Sequence, residues 1–189
     1  MARTYPHITR LLTDSYGQCG RVLELGCGAK QYGHCFAGQY WGIDLQLTYL
    51  TDSDPGPDAM ANAETLPFAD RSMDLVFTVA TLLVIPDTDS VLREAYRVLR
   101  PGGSLLIFDY SPWVARRLAR HDANHRHRFS SNRLSQKLLD VGFEAQIHRD
   151  CVPSRGGPMG QKLLSLRSCR RLVYYISNWI VVSGSTCEQ

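Results

Sequence analysis

The chain has 189 residues, 44% hydrophobic and 21% charged, a composition ordinary for a globular protein and long enough to bury a core without disulfide or metal staples. Its first residues, MARTYPHITRLL, lack the apolar core of a secretory signal, and LVYYISNWIVVSG near the end is too short and interrupted to span a bilayer, so a cytoplasmic protein of one domain over residues 1–189 is expected. The net charge of +3 is uneven: residues 1–111 hold 8 Lys and Arg against 13 Asp and Glu, and residues 112–171 hold 13 against 4, which points to an anionic partner on one side or to solvated helix faces.

In chain order, Ile8, Leu11 and Leu12 have helical spacing and predict a short leading helix over 7–16. RVLELG (21–26) reads as a buried strand that runs into Gly26-Cys27-Gly28, and a helix is expected after Lys30. YWGIDL (40–45) is a second strand ending in an acid, AMANAE (59–64) a third, and MDLVFTVATLLVI (73–85) begins as a fourth. The next helix is capped by Asp87, Asp89 or Ser90, carries an apolar stripe at Val91, Ala95, Val98 and Leu99, and is stopped by Pro101-Gly102-Gly103. SLLIFDY (104–110) is a fifth strand. A helix capped by Ser130 or Ser131 and stopped at Gly142 follows, then strands at 144–150 and 178–185. Apolar strands alternating with helices predict a parallel α/β sheet covered on both faces, with ligands beyond the carboxyl ends of its strands.

The six cysteines (Cys19, Cys27, Cys35, Cys151, Cys169, Cys187) show no C-x-x-C pair, so reduced thiols and no metal site are expected. The Gly26-Cys27-Gly28 turn and Asp44 both fall at strand carboxyl ends, where a nucleotide-like cofactor fits. A dinucleotide would need a third glycine where Gln31 stands, and Glu24 is an odd neighbour for a pyrophosphate. A cationic ligand suits the two carboxylates better.

The set VLELGCG, GIDL, NAETLPFADRSMDLVFTVATLLVIPD, LREAYRVLRPGGSLLIFDYS and LLDVGF resembles the class I S-adenosylmethionine-dependent methyltransferases, closest to their small-molecule enzymes, over about Arg21 to Asp150. The resemblance implies a Rossmann-like, doubly wound sheet, mostly parallel with an antiparallel last strand, and S-adenosylmethionine as cofactor. It implies that Glu24 lies near the cationic amino-acid end of the cofactor and that Gly26, Cys27 and Gly28 wrap its methionine part. Asp44 would bind the ribose hydroxyls, Leu45 would pack on adenine, Asn62 and Ala63 would meet the adenine edge, and the main chain at Thr78 and Val79 would contact the amino group. Two positions depart from the family pattern: Asn62, where Asp is frequent, and Lys30, where a small residue is common. Lys30 could pair with the methionine carboxylate or with Glu24, or lie on the surface.

Methyl transfer from a sulfonium needs placement above all, with a general base where the nucleophile must lose a proton. Relatives frequently carry histidines after the fourth strand; Leu83 and Val84 stand there in this chain. His121, His125 and His127, in RRLARHDANHRHRFS, are therefore the candidate proton-transfer residues, with Asp122 as an orienting partner. Arg116, Arg117, Arg120, Arg126 and Arg128 could bind an acceptor carboxylate or phosphate. Tyr110, Trp113, Tyr174, Tyr175 and Trp179 could line an acceptor pocket, or pack in the core. A small acceptor, anionic if the basic half binds it, is expected. An RNA- or protein-directed methyltransferase and a non-catalytic binding subunit with this fold are the alternatives. The segment 153–177 reads equally as a lid, a dimer surface or a packed helix.

Overall fold

The apolar runs become neighbouring strands because each is buried on both faces, where only another strand can satisfy its main chain. The computed structural model describes residues 5–46, 55–120, 126–127, 129–148 and 179–186. Helix α1 (Pro6–Tyr16) precedes β1 (Arg21–Leu25), β2 (Gln39–Asp44), β3 (Ala59–Met60) and β4 (Met73–Val79). Then come α2 (Thr88–Val98), β5 (Leu99–Tyr110), α3 (Pro112–Leu118), α4 (Ser131–Val141), β6 (Glu144–Ile147) and β7 (Trp179–Ser185).

The seven strands form one sheet in the order β3-β2-β1-β4-β5-β7-β6. Strands β1 to β5 pair in parallel, and β7 runs antiparallel to both β5 and β6. Helices α2 and α4 bury Leu92, Ala95, Val98, Leu134 and Leu138 against one face, while α1 buries Ile8 and Leu12 on the other. This is the Rossmann-like architecture that the alternation and the resemblance imply. Strand order reverses between β1 and β4, which places the ligand crevice over their carboxyl ends.

Local chemistry sets the helix limits. Asp87 caps α2 by accepting from the N–H groups of Asp89 and Ser90, both at 3.1 Å. Ser130 Oγ accepts from Arg133 N at 3.3 Å to start α4, and Gly142, at φ 111°, ends it in the left-handed region.

Four elements differ from the sequence reading. No helix forms after Lys30: the crossover between β1 and β2 holds only a three-residue 3-10 turn, Gly33–Cys35. The crossover is short and carries four glycines, and buried Tyr32 and Cys35 fill the space against Leu75 and Phe77. Strand β3 stops at Met60 instead of reaching Glu64, because Asn62 Oδ1 takes the N–H of Glu64 at 2.9 Å and turns the chain. Strand β5 starts at Leu99, five residues before the expected run. Helix α3, with Pro112 in its first turn, was not anticipated. Residues 153–177 lie outside the described residues. Among the described residues no helix is long and apolar enough to cross a membrane.

Candidate active site

At the carboxyl end of β1 the chain turns through Gly26 (φ 68°) and Gly28 (φ 52°). The turn is tied to β2. Gly26 N and Cys27 N both donate to Ile43 O, at 2.8 and 3.0 Å, and Gly28 N donates to Asp44 Oδ2 at 2.9 Å. A Cβ on Gly26 would lie 2.3 Å from Thr81 Cγ2, so only glycine lets the loop after β4 close on the turn. Thr81 Oγ1 donates to Val79 O at 3.0 Å and lies 3.4 Å from Gly26 O.

Glu24, the β1 residue just before the turn, is only 2% exposed. Tyr40 donates its hydroxyl to Glu24 Oε2, and Phe36 and Phe77 stack around Tyr40. Burial pushes the Glu24 carboxyl up to about 8, Asp44 acts in the same direction, and Tyr40 and Lys30 oppose it. Lys30 pairs with neither Glu24 nor solvent alone: its Nζ reaches both Asp58 oxygens at 2.5 Å and lies 5.1 Å from the Tyr40 ring centre. Asp58 in turn accepts from Gly42 N at 2.8 Å, which fixes the outer wall of β2.

The remaining cofactor candidates cluster at the same end of the sheet. Asp44 Oδ1 accepts from Gln46 N at 3.0 Å, and the neighbouring Leu45 is 58% exposed. Asn62 is engaged within its own loop, through Glu64 N and, at 3.3 Å, Glu64 Oε2, while Ala63 packs in the core. Glu64 Oε1 accepts from Asp87 N at 2.9 Å, joining this loop to the start of α2. Thr78 is buried and Val79 half-buried at the end of β4. Glu24, Gly26, Cys27, Gly28, Asp44, Thr78 and Val79 thus come together at the crevice between β1, β2 and β4.

The histidine candidates fare differently. His121 and His125 lie outside the described residues. His127 donates from Nε2 to Ile85 O at 2.8 Å, with Pro86 O at 3.3 Å, and stacks on Phe129 at 5.3 Å. With Arg126 N and His127 N donating to Leu83 O at 2.8 and 3.1 Å, this imidazole clamps its segment to the loop after β4. Trp113 is 55% exposed on α3; Tyr174 and Tyr175 lie outside the described residues. Among the described residues Cys19, Cys27 and Cys35 are free thiols, and no three His, Cys, Asp or Glu side chains converge on a metal position.

One acid was missed by sequence reasoning. Asp109, at the end of β5, is 2% exposed, and burial pushes its carboxyl up to about 7. Its signal was an acid closing an otherwise apolar strand, as Asp44 closes β2. An open groove of about 700 Å³, lined by Arg21, Arg71, Asp74 and Arg100 among others, lies at the amino ends of the strands, away from these groups.

Residues 23–107 match the family model described as a methyltransferase domain. The chain is 27% identical to the ubiquinone/menaquinone biosynthesis C-methyltransferase UbiE of Neisseria meningitidis serogroup A over 182 aligned positions, which cover 76% of this chain and 74% of that protein. In fold it is similar to a chain of the complex between the Haloferax volcanii Trm112 methyltransferase activator and a methyltransferase, with a TM-score of 0.74 at 18% identity over 96% of this chain and 90% of that one. It is also similar to Haemonchus contortus phosphoethanolamine N-methyltransferase 2, solved with phosphomonomethylethanolamine and S-adenosylhomocysteine. There the TM-score is 0.66 at 16% identity over 96% and 52% of the two chains.

Proposed function

This chain belongs to the class I S-adenosylmethionine-dependent methyltransferases, and from that premise we propose that it methylates a ring carbon of a small reduced quinone. The observation that carries the acceptor class is the likeness to a ubiquinone/menaquinone C-methyltransferase over three quarters of both chains. When bound, S-adenosylmethionine supplies a methyl group already attached to a good leaving group.

The residues at the turn fit that group. Two glycines with positive φ leave main chain bare, and two carboxyl groups, Glu24 and Asp44, flank it; Glu24 keeps its proton near neutral pH until a nearby cation favours the ionised form. In this reading Glu24 faces the amino-acid end and Gly26, Cys27 and Gly28 wrap the methionine part. Asp44 accepts the ribose hydroxyls; a carboxylate offers about four lone-pair sites, so it can do so while holding Gly28 N and Gln46 N. Leu45 packs on adenine, Asn62 and Ala63 meet its edge, and the main chain at Thr78 and Val79 receives the amino group. The protein's own work is to align acceptor and methyl, which for a well-oriented pair contributes roughly 7–11 kcal/mol.

A second acceptor class, a small anion, is favoured by Arg116 and Arg117, both exposed on α3 where the chain leaves β5. Purified protein, methyl-labelled S-adenosylmethionine and a panel holding a short-chain demethylated naphthoquinol and phosphoethanolamine separate the two. Label incorporated into the quinol ring, with S-adenosylhomocysteine released, is expected. Label in phosphoethanolamine alone would replace the quinol reading by the anionic one.

A further inference from the structure

Among the described residues, three buried side-chain oxygens at the ends of β4 and β5 have no hydrogen-bond partner: Thr78 Oγ1, Asp109 Oδ2 and Ser111 Oγ. They are 1%, 2% and 5% exposed as residues. Thr78 and Asp109 continue the alternation of Val76 on β4 and of Leu105 and Ile107 on β5, so both lie on the α2 and α4 side of the sheet. Thr78 pairs with Ile107, which makes Asp109 its diagonal neighbour one strand further from β1. Ser111 stands two residues after Asp109, at the start of α3, where its hydroxyl makes no capping hydrogen bond.

The other half of Asp109 is held firmly. Oδ1 accepts from Tyr110 N at 2.7 Å, and the N–H of Leu83 in the loop after β4 also reaches the carboxyl. Among the described residues no cation pairs with it. The titratable group beside it is Tyr110, the loop after β4 contributes the Leu83 amide, β4 places Thr78 on the diagonal position, and Ser111, the residue before α3, lies two positions along the chain. A fixed carboxyl with one oxygen unengaged among the described residues, with the Thr78 hydroxyl on the diagonal position of β4 and the Ser111 hydroxyl two residues further along, is suited to receive a polar atom from outside the chain. It lies across β4 from the cofactor turn, at the same carboxyl end of the sheet.

We propose that Asp109 is the proton acceptor of the transfer, taking the ring-hydroxyl proton of the quinol on Oδ2 while Thr78 and Ser111 donate to the hydroxyl oxygen. This rests on the quinol reading above. The O–H bond breaks and its proton goes to Asp109. The electron pair passes into the ring, whose adjacent carbon bonds the methyl as the methyl–sulfur bond breaks, and that pair stays on sulfur. The ring carbon then loses its own proton to water, and Asp109 returns its proton to the ring oxygen, for a net release of one proton. Burial that lifts the carboxyl to about 7 suits it to this exchange near neutral pH.

The test uses the full chain, S-adenosylmethionine and a reduced demethylnaphthoquinone with a short prenyl chain. Asp109→Asn is expected to lower kcat by about 100- to 10,000-fold, to abolish a rise in wild-type kcat near pH 7, and to bind S-adenosylhomocysteine within about twofold of wild type. Of the two protonated-carboxyl infrared bands, from Asp109 titrating at about 7 and from Glu24 at about 8, the one at lower pH should vanish in the variant, whatever its activity. Should Asp109→Asn fail to fold, Ser111→Ala serves, with kcat expected to fall several-fold at unchanged KM for S-adenosylmethionine. Wild-type protein that binds S-adenosylhomocysteine but never methylates the quinol overturns the acceptor reading and this assignment with it. Wild type that methylates the quinol, beside an Asp109→Asn or Ser111→Ala protein that does so equally well with the same pH profile, overturns the assignment alone.

Discussion

Replacing Glu24 by glutamine separates the charge of the buried carboxyl from its shape. In the folded chain burial holds this carboxyl at about 8 instead of 4.5. Between those values the native state keeps a proton that the unfolded chain has released, so stability falls as pH rises through the window and is lowest above it. At 1.36 kcal/mol per tenfold, the full penalty is on the order of 5 kcal/mol. That is a large fraction of the roughly 5–15 kcal/mol typical of a folded domain. Glutamine has no charge to bury, and its amide oxygen can still accept from the Tyr40 hydroxyl. Urea unfolding of both proteins at about pH 5 and about pH 9 measures the difference. The variant should lose less stability across that interval than wild type, by several kcal/mol and at most about 5. Asp109, shifted upward over a lower window, leaves a residual fall in both proteins. Parallel behaviour of the two proteins would mean that Glu24 is ionised in the empty fold, and the account of the turn as a carboxyl-lined cation site would have to be rebuilt.

Asp44→Ala removes an acceptor for the ribose hydroxyls together with the anchor of Gly28 N and Gln46 N; isothermal titration should show S-adenosylhomocysteine bound at least about tenfold more weakly, and an unchanged titration would assign Asp44 another role. Gly42→Ala places a methyl group 2.6 Å from Cys27 Sγ and 2.8 Å from its Cβ, so the turn must shift, with an expected loss of about 1–3 kcal/mol and weaker cofactor binding. Gly184→Ala, whose methyl would meet Phe143 Cβ at 2.9 Å far from the turn, should lose stability in the same unfolding assay but keep cofactor affinity.

The strands were legible because a sheet covered on both faces needs apolar runs, and Leu75 to Phe77 and Leu105 to Phe108 satisfy that need unbroken, while Val22 to Leu25 does so with Glu24 as its one interruption. The caps at Asp87, Ser130 and Gly142 were legible for a similar reason, since each acts within three residues of its own position or through its own φ. What could not be read depends on distant partners. Lys30 meets Asp58 only because the loop after β2 returns to Gly42, a closure that no local pattern encodes. Asp109 looks like any polar residue ending a strand until the loop after β4 folds over it. His127 looked like a catalytic base because histidines gather around it, but its ring nitrogen holds a carbonyl 42 residues away in the sequence, at Ile85.

The missing helix after β1 bears on which ligand the turn can hold. A glycine turn that opens a helix presents unpaired N–H groups and a positive dipole end, and so attracts pyrophosphate. Here the crossover contains only the Gly33–Cys35 turn, and the N–H groups of Gly26, Cys27 and Gly28 are already engaged by Ile43 O and Asp44. A diphosphate placed on this turn would find no free amides from those three residues, and two carboxylates would face it. A ligand carrying an ammonium and a sulfonium meets the reverse situation, because Glu24 gains a cation that favours its ionised form. Binding of such a ligand near neutral pH should therefore be accompanied by proton release from Glu24, and the buried acid that weakens the empty fold at high pH becomes a stabilising contact once the cation is in place.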